Sequence, residues 1–299
     1  MKYNACIQIL SSRTKCLESY LKTLYKFYNN KYDYPVYIYY FDDIYDSPEY
    51  RKKIHEGISS NIHFISIPYK TPEHIKEQDL FYNNKDLWYA RTRFPIARKG
   101  YLHMCHFYNN LYKYPNTKFH EYDYVMCNDD DMGYVKELSN DPIEVMANRP
   151  EDIGSGNLAQ RLKDGKIGQG HLDTRFGLWS FVKSFIAENG IEPKSQKLKD
   201  LLLDPKGEEK FHFLPWGGTF VFKTRIFEND LWKKWISAVN KNGGIYKYRW
   251  GDIEIISLFY HMYSSELIYD LRYEKDGYIV TGLFRKIQNL APNVKHLER

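Results

Sequence analysis

No stretch of this 299-residue sequence approaches the eighteen or so consecutive apolar residues that a membrane-spanning helix needs. The start, Met1-Lys-Tyr-Asn-Ala-Cys6, carries no apolar secretory signal. Both absences lead to the expectation of a cytoplasmic protein without an integral membrane segment. Cysteine is scarce: Cys6, Cys16, Cys105 and Cys127 show no CxxC spacing. That excludes a dense disulfide framework and points to buried, reduced thiols. Basic residues never run together and the formal net charge is only +5, which argues against nucleic acid as the partner. A mildly positive field suits a small polyanion. There is no internal repeat, low-complexity tract or linker, so a single domain is expected.

What is present is ordinary in bulk: 43% hydrophobic and 27% charged residues, enough for a substantial core. Tyrosine is in excess at 28 residues, beside 17 phenylalanines. Tyrosine serves cores, sugar platforms and nucleic-acid surfaces alike, so the excess decides little. The first half alternates strands and helices. Residues 5–10, 36–41 and 62–67 read as strands, and 14–28 as a helix with Leu17, Tyr20, Leu21, Leu24 and Phe27 at helical spacing. A shorter helix is expected over 48–57. This β-α-β-α-β order implies parallel strands with ligands at their carboxyl ends. A long helix is expected over 95–112, with Tyr101, Met104, Cys105, Tyr108 and Leu111 on one face. Residues 154–170 read as a loop, 179–187 as a helix, and 194–210 as a charged connection with a short helix. Residues 216–222 read as a strand entered through Gly217-Gly218, and 229–241 as a helix stopped by Gly243-Gly244.

Within this pattern, Glu121-Tyr-Asp-Tyr-Val-Met-Cys-Asn-Asp-Asp-Asp-Met-Gly-Tyr134 stands out. A short apolar run of strand type ends in Asp129, Asp130 and Asp131. On an extended chain Asp129 and Asp131 share one side and Asp130 takes the other. Two carboxylates a few ångströms apart repel by about 4 kcal/mol at an effective dielectric near 20, so a positive group belongs between them. A hard divalent cation fills that place and leaves positions for a diphosphate. Many nucleotide-sugar transferases hold their metal on a strand followed by Asp-x-Asp. An acidic turn of no special role meets the same pattern.

Further residues carry a resemblance. Tyr101-Leu-His-Met-Cys-His-Phe-Tyr-Asn-Asn-Leu-Tyr-Lys-Tyr-Pro115, Asp129-Asp-Asp131, Leu178-Trp-Ser-Phe-Val-Lys183 and Asn242-Gly-Gly-Ile-Tyr-Lys-Tyr-Arg-Trp-Gly-Asp252 occur in the order, and much in the form, of glycosyltransferase family 15. The chain therefore resembles α-1,2-mannosyltransferases of the Golgi glycolipid and O-linked type, as a catalytic domain lacking the family's membrane anchor. The resemblance implies an α/β, GT-A nucleotide-diphospho-sugar transferase fold, a Rossmann-like mixed sheet flanked by helices. One domain over 1–299 is expected, with a nucleotide-binding half of about 1–131, an acceptor-binding half of about 132–280, and a tail of 281–299. Mn²⁺ or Mg²⁺ is the implied cofactor and GDP-mannose the implied donor. A glycan or glycoside is the implied acceptor; the oligomeric state is not indicated.

Carried over residue by residue, the resemblance makes Asp129 and Asp131 metal ligands, with Asp130 beside them in the cofactor site. Tyr101 matches a tyrosine near the anomeric carbon of the donor. Asp252 matches an acceptor-side aspartate, with Arg249 and Trp250 shaping that pocket and Trp216, Gly217 and Gly218 as further substrate contacts. Each has a plainer alternative: core packing for Tyr101, a structural stack for Arg249-Trp250, and a helix cap for Asp252. Three departures bear on mechanism. Phe220 aligns with the family's candidate nucleophilic glutamate, and Cys127 with an arginine. A C-terminal metal-binding histidine has no counterpart, leaving Asp270, Glu274 or Asp276 as substitutes and His103 and His106 as the remaining histidines. Unless Glu208, Glu209 or Asp252 replaces the glutamate, front-face attack is the implied retaining route. Another donor, such as a UDP-hexose or a deoxysugar nucleotide, and a catalytically inactive carbohydrate-binding relative are the alternatives.

Overall fold

The computed structural model describes residues 3–41, 44–84, 99–114, 116–134, 137–156, 177–211, 219–266, 268–271 and 279–281. In chain order its strands are β1 (Ala5–Leu10), β2 (Val36–Tyr40), β3 (Ile62–Ser66), β4 (Tyr124–Asp129), β5 (Met132–Tyr134), β6 (Ile153–Ser155), β7 (Thr219–Lys223), β8 (Tyr269–Asp270) and β9 (Ile279–Thr281). Seven form one mixed sheet in the order β3-β2-β1-β4-β7-β6-β8, and β5 pairs with β9. β1 to β4 run parallel, so Leu10, Tyr40, Ser66 and Asp129 end on one edge. β7 is antiparallel to β4 and returns from that edge, with Thr219 beside Asn128.

The alternation of side chains along the strands sorts the core into two layers. Ile7, Ile9, Val36, Ile38, Met126 and Val221 face Leu17, Tyr20, Leu21 and Leu24 of the first helix. Cys6, Tyr39, Val125, Cys127, Phe220 and Phe222 face the opposite layer, built on Lys99–Asn109, Asp230–Asn242 and Asp252–Tyr263. All five residues of β2 are buried, as expected of an interior strand rich in isoleucine, valine and tyrosine.

Several expectations shift. The first helix is regular only over Thr14–Leu24, then widens into a π segment at Tyr25–Asn29. The wider turn buries Tyr25, Tyr28 and Asn29, and the Asn29 carboxamide bonds both Tyr34 N–H (3.0 Å) and Tyr34 C=O (2.8 Å). Helix Lys99–Asn109 buries Leu102, His103 and Phe107 besides Cys105 and Tyr108, so it is enclosed on more than the one expected face. Residues 154 and 155, expected in the loop, belong instead to β6, where a Cβ on Gly154 would lie 2.5 Å from Met146 Sδ. The connection near 194–210 holds two helices, Gln196–Leu203 and Gly207–Lys210. Thr281 belongs to β9 and pairs with Met132, so the chain returns beside the acidic turn. Asp42-Asp43, Pro95 to Arg98, Pro115, Asn157 to Gly170, and the tail from 282 lie outside the described residues. Among those described, no helix is long and apolar enough to cross a membrane.

Candidate active site

β4 keeps its pairing with β1 to its last residue, Asp129 opposite Leu10. The sheet therefore ends where the carboxylates begin. Asp129 is open to solvent, although many protein atoms lie around it. Desolvation, then the charges of Asp131, Asp130 and Asp252, push its carboxyl up to about 7, with Arg13 opposing. Asp130 turns the other way, as alternation requires, and is 2% exposed. It accepts from the Ser11 hydroxyl at 2.6 Å and from Arg13 Nε at 3.3 Å, and it is ion-paired with Arg13 Nη2. The Tyr45 hydroxyl, 2.6 Å from Ser11 Oγ, backs this arrangement. Asp131 meets Arg13 Nη1 at 3.4 Å on the open side of the turn.

The second half of the site is the turn from Gly243 to Asp252. Gly243, at φ +77°, ends helix Asp230–Asn242 in the left-handed conformation that glycine tolerates. A Cβ on Gly244 would lie 2.2 Å from the Trp250 ring, so the backbone there presses on the indole. Arg249 takes φ +60°, unusual for a residue with a side chain. Its guanidinium thereby sits 4.5 Å from the centroid of the Tyr101 ring, a cation–π contact. Gly251 is the cap of the next helix, and Asp252 lies in its first turn; the expected capping role belongs to the glycine position.

Asp252 is 4% exposed and accepts a long hydrogen bond from Cys105 Sγ at 3.6 Å. Burial, then the Glu254 charge, push its carboxyl up to about 7, against hydrogen bonds from its own and the Ile253 N–H and from Cys105. Burial likewise raises the Tyr101 hydroxyl, with the Cys105 and Glu254 charges adding and Arg249 opposing, so it stays protonated at neutral pH. The charges of Asp129 and Asp252 act on one another, and both act on Tyr108 between their elements. Asp129 to Asp131, Tyr101, Arg249 and Asp252 thus occupy one neighbourhood.

Other candidates fall elsewhere. Trp250 is 1% exposed and packs against Phe181 with ring centroids 5.0 Å apart. An open stacking platform is therefore ruled out for it; it backs a cleft of about 460 Å³ that Tyr248, Asn242, Ser180 and Ser184 also line. Trp216, Gly217 and Gly218 lie outside the described residues, as do Glu274 and Asp276. Asp270 stands on β8, three strands from β4. His103 and His106 sit among Tyr69, Tyr114 and Tyr246, and burial pulls both rings down to about 4. Phe220 is 2% exposed and stacks on Phe222, so no carboxylate stands at that position.

Among the described residues no three His, Cys, Asp or Glu side chains converge as a metal cage. The donor set still fits a hard cation: Asp129 and Asp131 offer oxygen only, and Asp129 is accessible and short of compensating charge. Magnesium-like ions are commonly held by one or two carboxylates, with phosphate and water completing the shell. Ser11, Arg13 and Glu254 were not expected from the sequence. Ser11 and Arg13 were legible in principle, because they follow β1 at the edge where parallel strands present ligands.

The family described as glycolipid 2-alpha-mannosyltransferase matches residues 1–280. The O-glycoside alpha-1,2-mannosyltransferase omh1 of Schizosaccharomyces pombe is 22% identical over 252 residues, 82% of this chain and 60% of that protein. Glycolipid 2-alpha-mannosyltransferase 1 of Candida albicans is 23% identical over 162 residues, 54% of this chain and 35% of its own length. The chain thus spans about 60% or less of these relatives. Among solved structures, core-mannan synthase A from Aspergillus fumigatus in its Mn/GDP form superposes with TM-score 0.68 at 18% identity, over 87% of this chain and 70% of that one. The S. cerevisiae mannosyltransferase Ktr4p in complex with GDP gives 0.67 at 18% identity, over 88% and 68%. The shared architecture is the GT-A fold.

Proposed function

The chain belongs to glycosyltransferase family 15, the glycolipid 2-alpha-mannosyltransferases, and on that premise we propose that it moves mannose from GDP-mannose to a glycan or glycoside hydroxyl. The transfer is read as retaining, α-1,2-linking and dependent on a divalent cation. The names of the related proteins and the Mn/GDP form of the Aspergillus structure support donor and cation. One observation carries the reading: an accessible aspartate at the carboxyl end of β4, Asp129, lies within electrostatic reach of the buried Asp252, the aspartate that we read as acceptor-side. In this division residues up to about 131 serve the nucleotide, and about 132–280 the acceptor.

Asp129 and Asp131 would hold Mn²⁺ or Mg²⁺, while Asp130, fixed by Ser11 and Arg13, keeps the turn rigid. The bound cation supplies Lewis-acid neutralisation of the departing diphosphate. Tyr101, pinned beneath Arg249, presents a protonated hydroxyl to the donor sugar. Asp252, with a carboxyl near 7, accepts a hydrogen bond from the incoming hydroxyl and orients it. Because Phe220 replaces the expected carboxylate, the reading favours front-face attack, in which a leaving diphosphate oxygen takes the acceptor's proton.

The test is thermal unfolding with a panel of nucleotide sugars, with and without Mn²⁺. GDP-mannose should raise Tm only when Mn²⁺ is present, since a ligand that binds the native state stabilises it. Asp131→Ala should lose that shift while unfolding normally on its own. A UDP-hexose giving the larger shift, or an intact shift in Asp131→Ala, would overturn the donor or the metal assignment respectively.

A further inference from the structure

Arg13 is, among the described residues, the basic side chain ion-paired with the acidic turn, and its contacts there are unequal. Nε and Nη2 both address Asp130, whose side chain is 3% exposed and which also accepts from Ser11. That half of the guanidinium is fixed in a part-buried, multiply bonded pair with a buried carboxylate. Nη1 reaches Asp131 at 3.4 Å, long for a charge-assisted bond, and the side chains there are 51% and 41% exposed. An exposed contact of this kind is weak and easily exchanged. Among the described residues, one guanidinium against three consecutive carboxylates leaves a surplus of negative charge that a divalent cation would offset. A cation seated on Asp131 would repel Nη1 and displace it from that oxygen.

We propose that Arg13 is the resident counter-ion of the turn, permanent toward Asp130 and replaceable toward Asp131, and that the Nη1 donor freed by a divalent cation binds the nucleotide's diphosphate. This rests on the donor reading above. Guanidinium forks match phosphate oxygens, and Arg13 keeps its position through Asp130 while Nη1 changes partner. Cation and nucleotide then bind cooperatively. The cation frees a donor for the phosphate, the phosphate neutralises the guanidinium that opposes the cation, and the coupling is equal in both directions.

Direct Mn²⁺ binding to the full chain, followed by the electron paramagnetic resonance of free Mn²⁺ with and without GDP, tests this. In the wild type GDP should tighten Mn²⁺ binding by about tenfold or more. Arg13→Gln should bind Mn²⁺ alone about fivefold more tightly than wild type, with the GDP effect reduced by about fivefold, the remainder being the cation's own attraction for the diphosphate. Arg13→Lys serves where the glutamine variant does not fold. One ammonium cannot span Asp130 and Asp131 together, so this variant should also bind Mn²⁺ alone more tightly. Folded variants whose affinity for Mn²⁺ alone matches the wild type, or whose GDP coupling is undiminished, overturn the inference and leave the function standing. A wild type that takes up no Mn²⁺ even with GDP overturns both.

Discussion

Asp252 shows how one residue can serve chemistry against stability. Its carboxyl, raised to about 7 from an ordinary 3.8, favours the native state below pH 3.8, and that contribution is lost as pH rises through 7. At pH 8 the folded chain therefore carries a buried charge held beside Glu254. Asp252→Asn should relieve it, and the variant's stability gain over wild type should grow from near zero at pH 4 to about 1–4 kcal/mol at pH 8. Turnover should fall about a hundredfold or more while donor affinity changes little. Urea unfolding at the two pH values, together with kcat and the donor Kd, checks both parts. A stability difference that does not vary with pH would mean that the charge is not strained. Normal turnover per folded molecule would leave Asp252 a purely structural residue.

At the scale of the element, the turn from Gly243 to Asp252 is a set of close approaches in which each residue type answers one steric demand. Gly244 gives way to the Trp250 indole, Gly251 to the Glu254 carboxylate, and Arg249 accepts a left-handed backbone that aims its guanidinium at Tyr101. Gly244→Ala forces a methyl to within 2.2 Å of the indole. It should cost about 1–3 kcal/mol in chemical denaturation, the usual range for overpacking. Because Trp250 adjoins Arg249, the same variant should weaken the Tyr101 contact and lower turnover in the surviving folded fraction. Alanine tolerated without loss would show that the indole has room to move. The sequence motif was legible here as a likeness, but the contact that imposes each glycine was not.

For the whole molecule, two groups of titrating residues act in opposite directions on stability. His103, His106 and His261 are held down at about 4, so the unfolded chain takes up protons that the native one refuses. Their contribution is present above pH 6.5 and is lost as pH falls toward 4. Asp129 and Asp252, raised to about 7, contribute below 3.8 and lose that contribution as pH rises to 7. Between pH 4 and 7 the two trends oppose, so the stability of the protein without ligand should vary less across that window than either trend alone would make it. Saturating Mn²⁺ and GDP hold Asp129 ionised and remove part of the compensation. Stability should then fall measurably as pH drops from 7 to 5. Calorimetric Tm against pH, with and without Mn²⁺ and GDP, reads this, and two parallel curves would contradict it.

The order of chain elements was determined locally. Short apolar runs at 5–10, 36–41 and 62–67 mark strands, their alternation with helices implies parallel pairing, and the spacing of Leu17, Tyr20, Leu21 and Leu24 marks the first helix, because solvent sorts apolar from polar residues wherever they sit. The acidic run at the end of β4 was legible for the same reason: a strand's end is written in its composition. Its partner was not. Arg13 lies more than a hundred residues before Asp130, and it becomes a counter-ion only because β1 and β4 are neighbours in the sheet. The seating of Asp252 against Cys105, the burial of Trp250 and the separation of Asp270 from Asp129 were likewise decided by packing. Burial and electrostatics depend on distance in space, which no local pattern encodes.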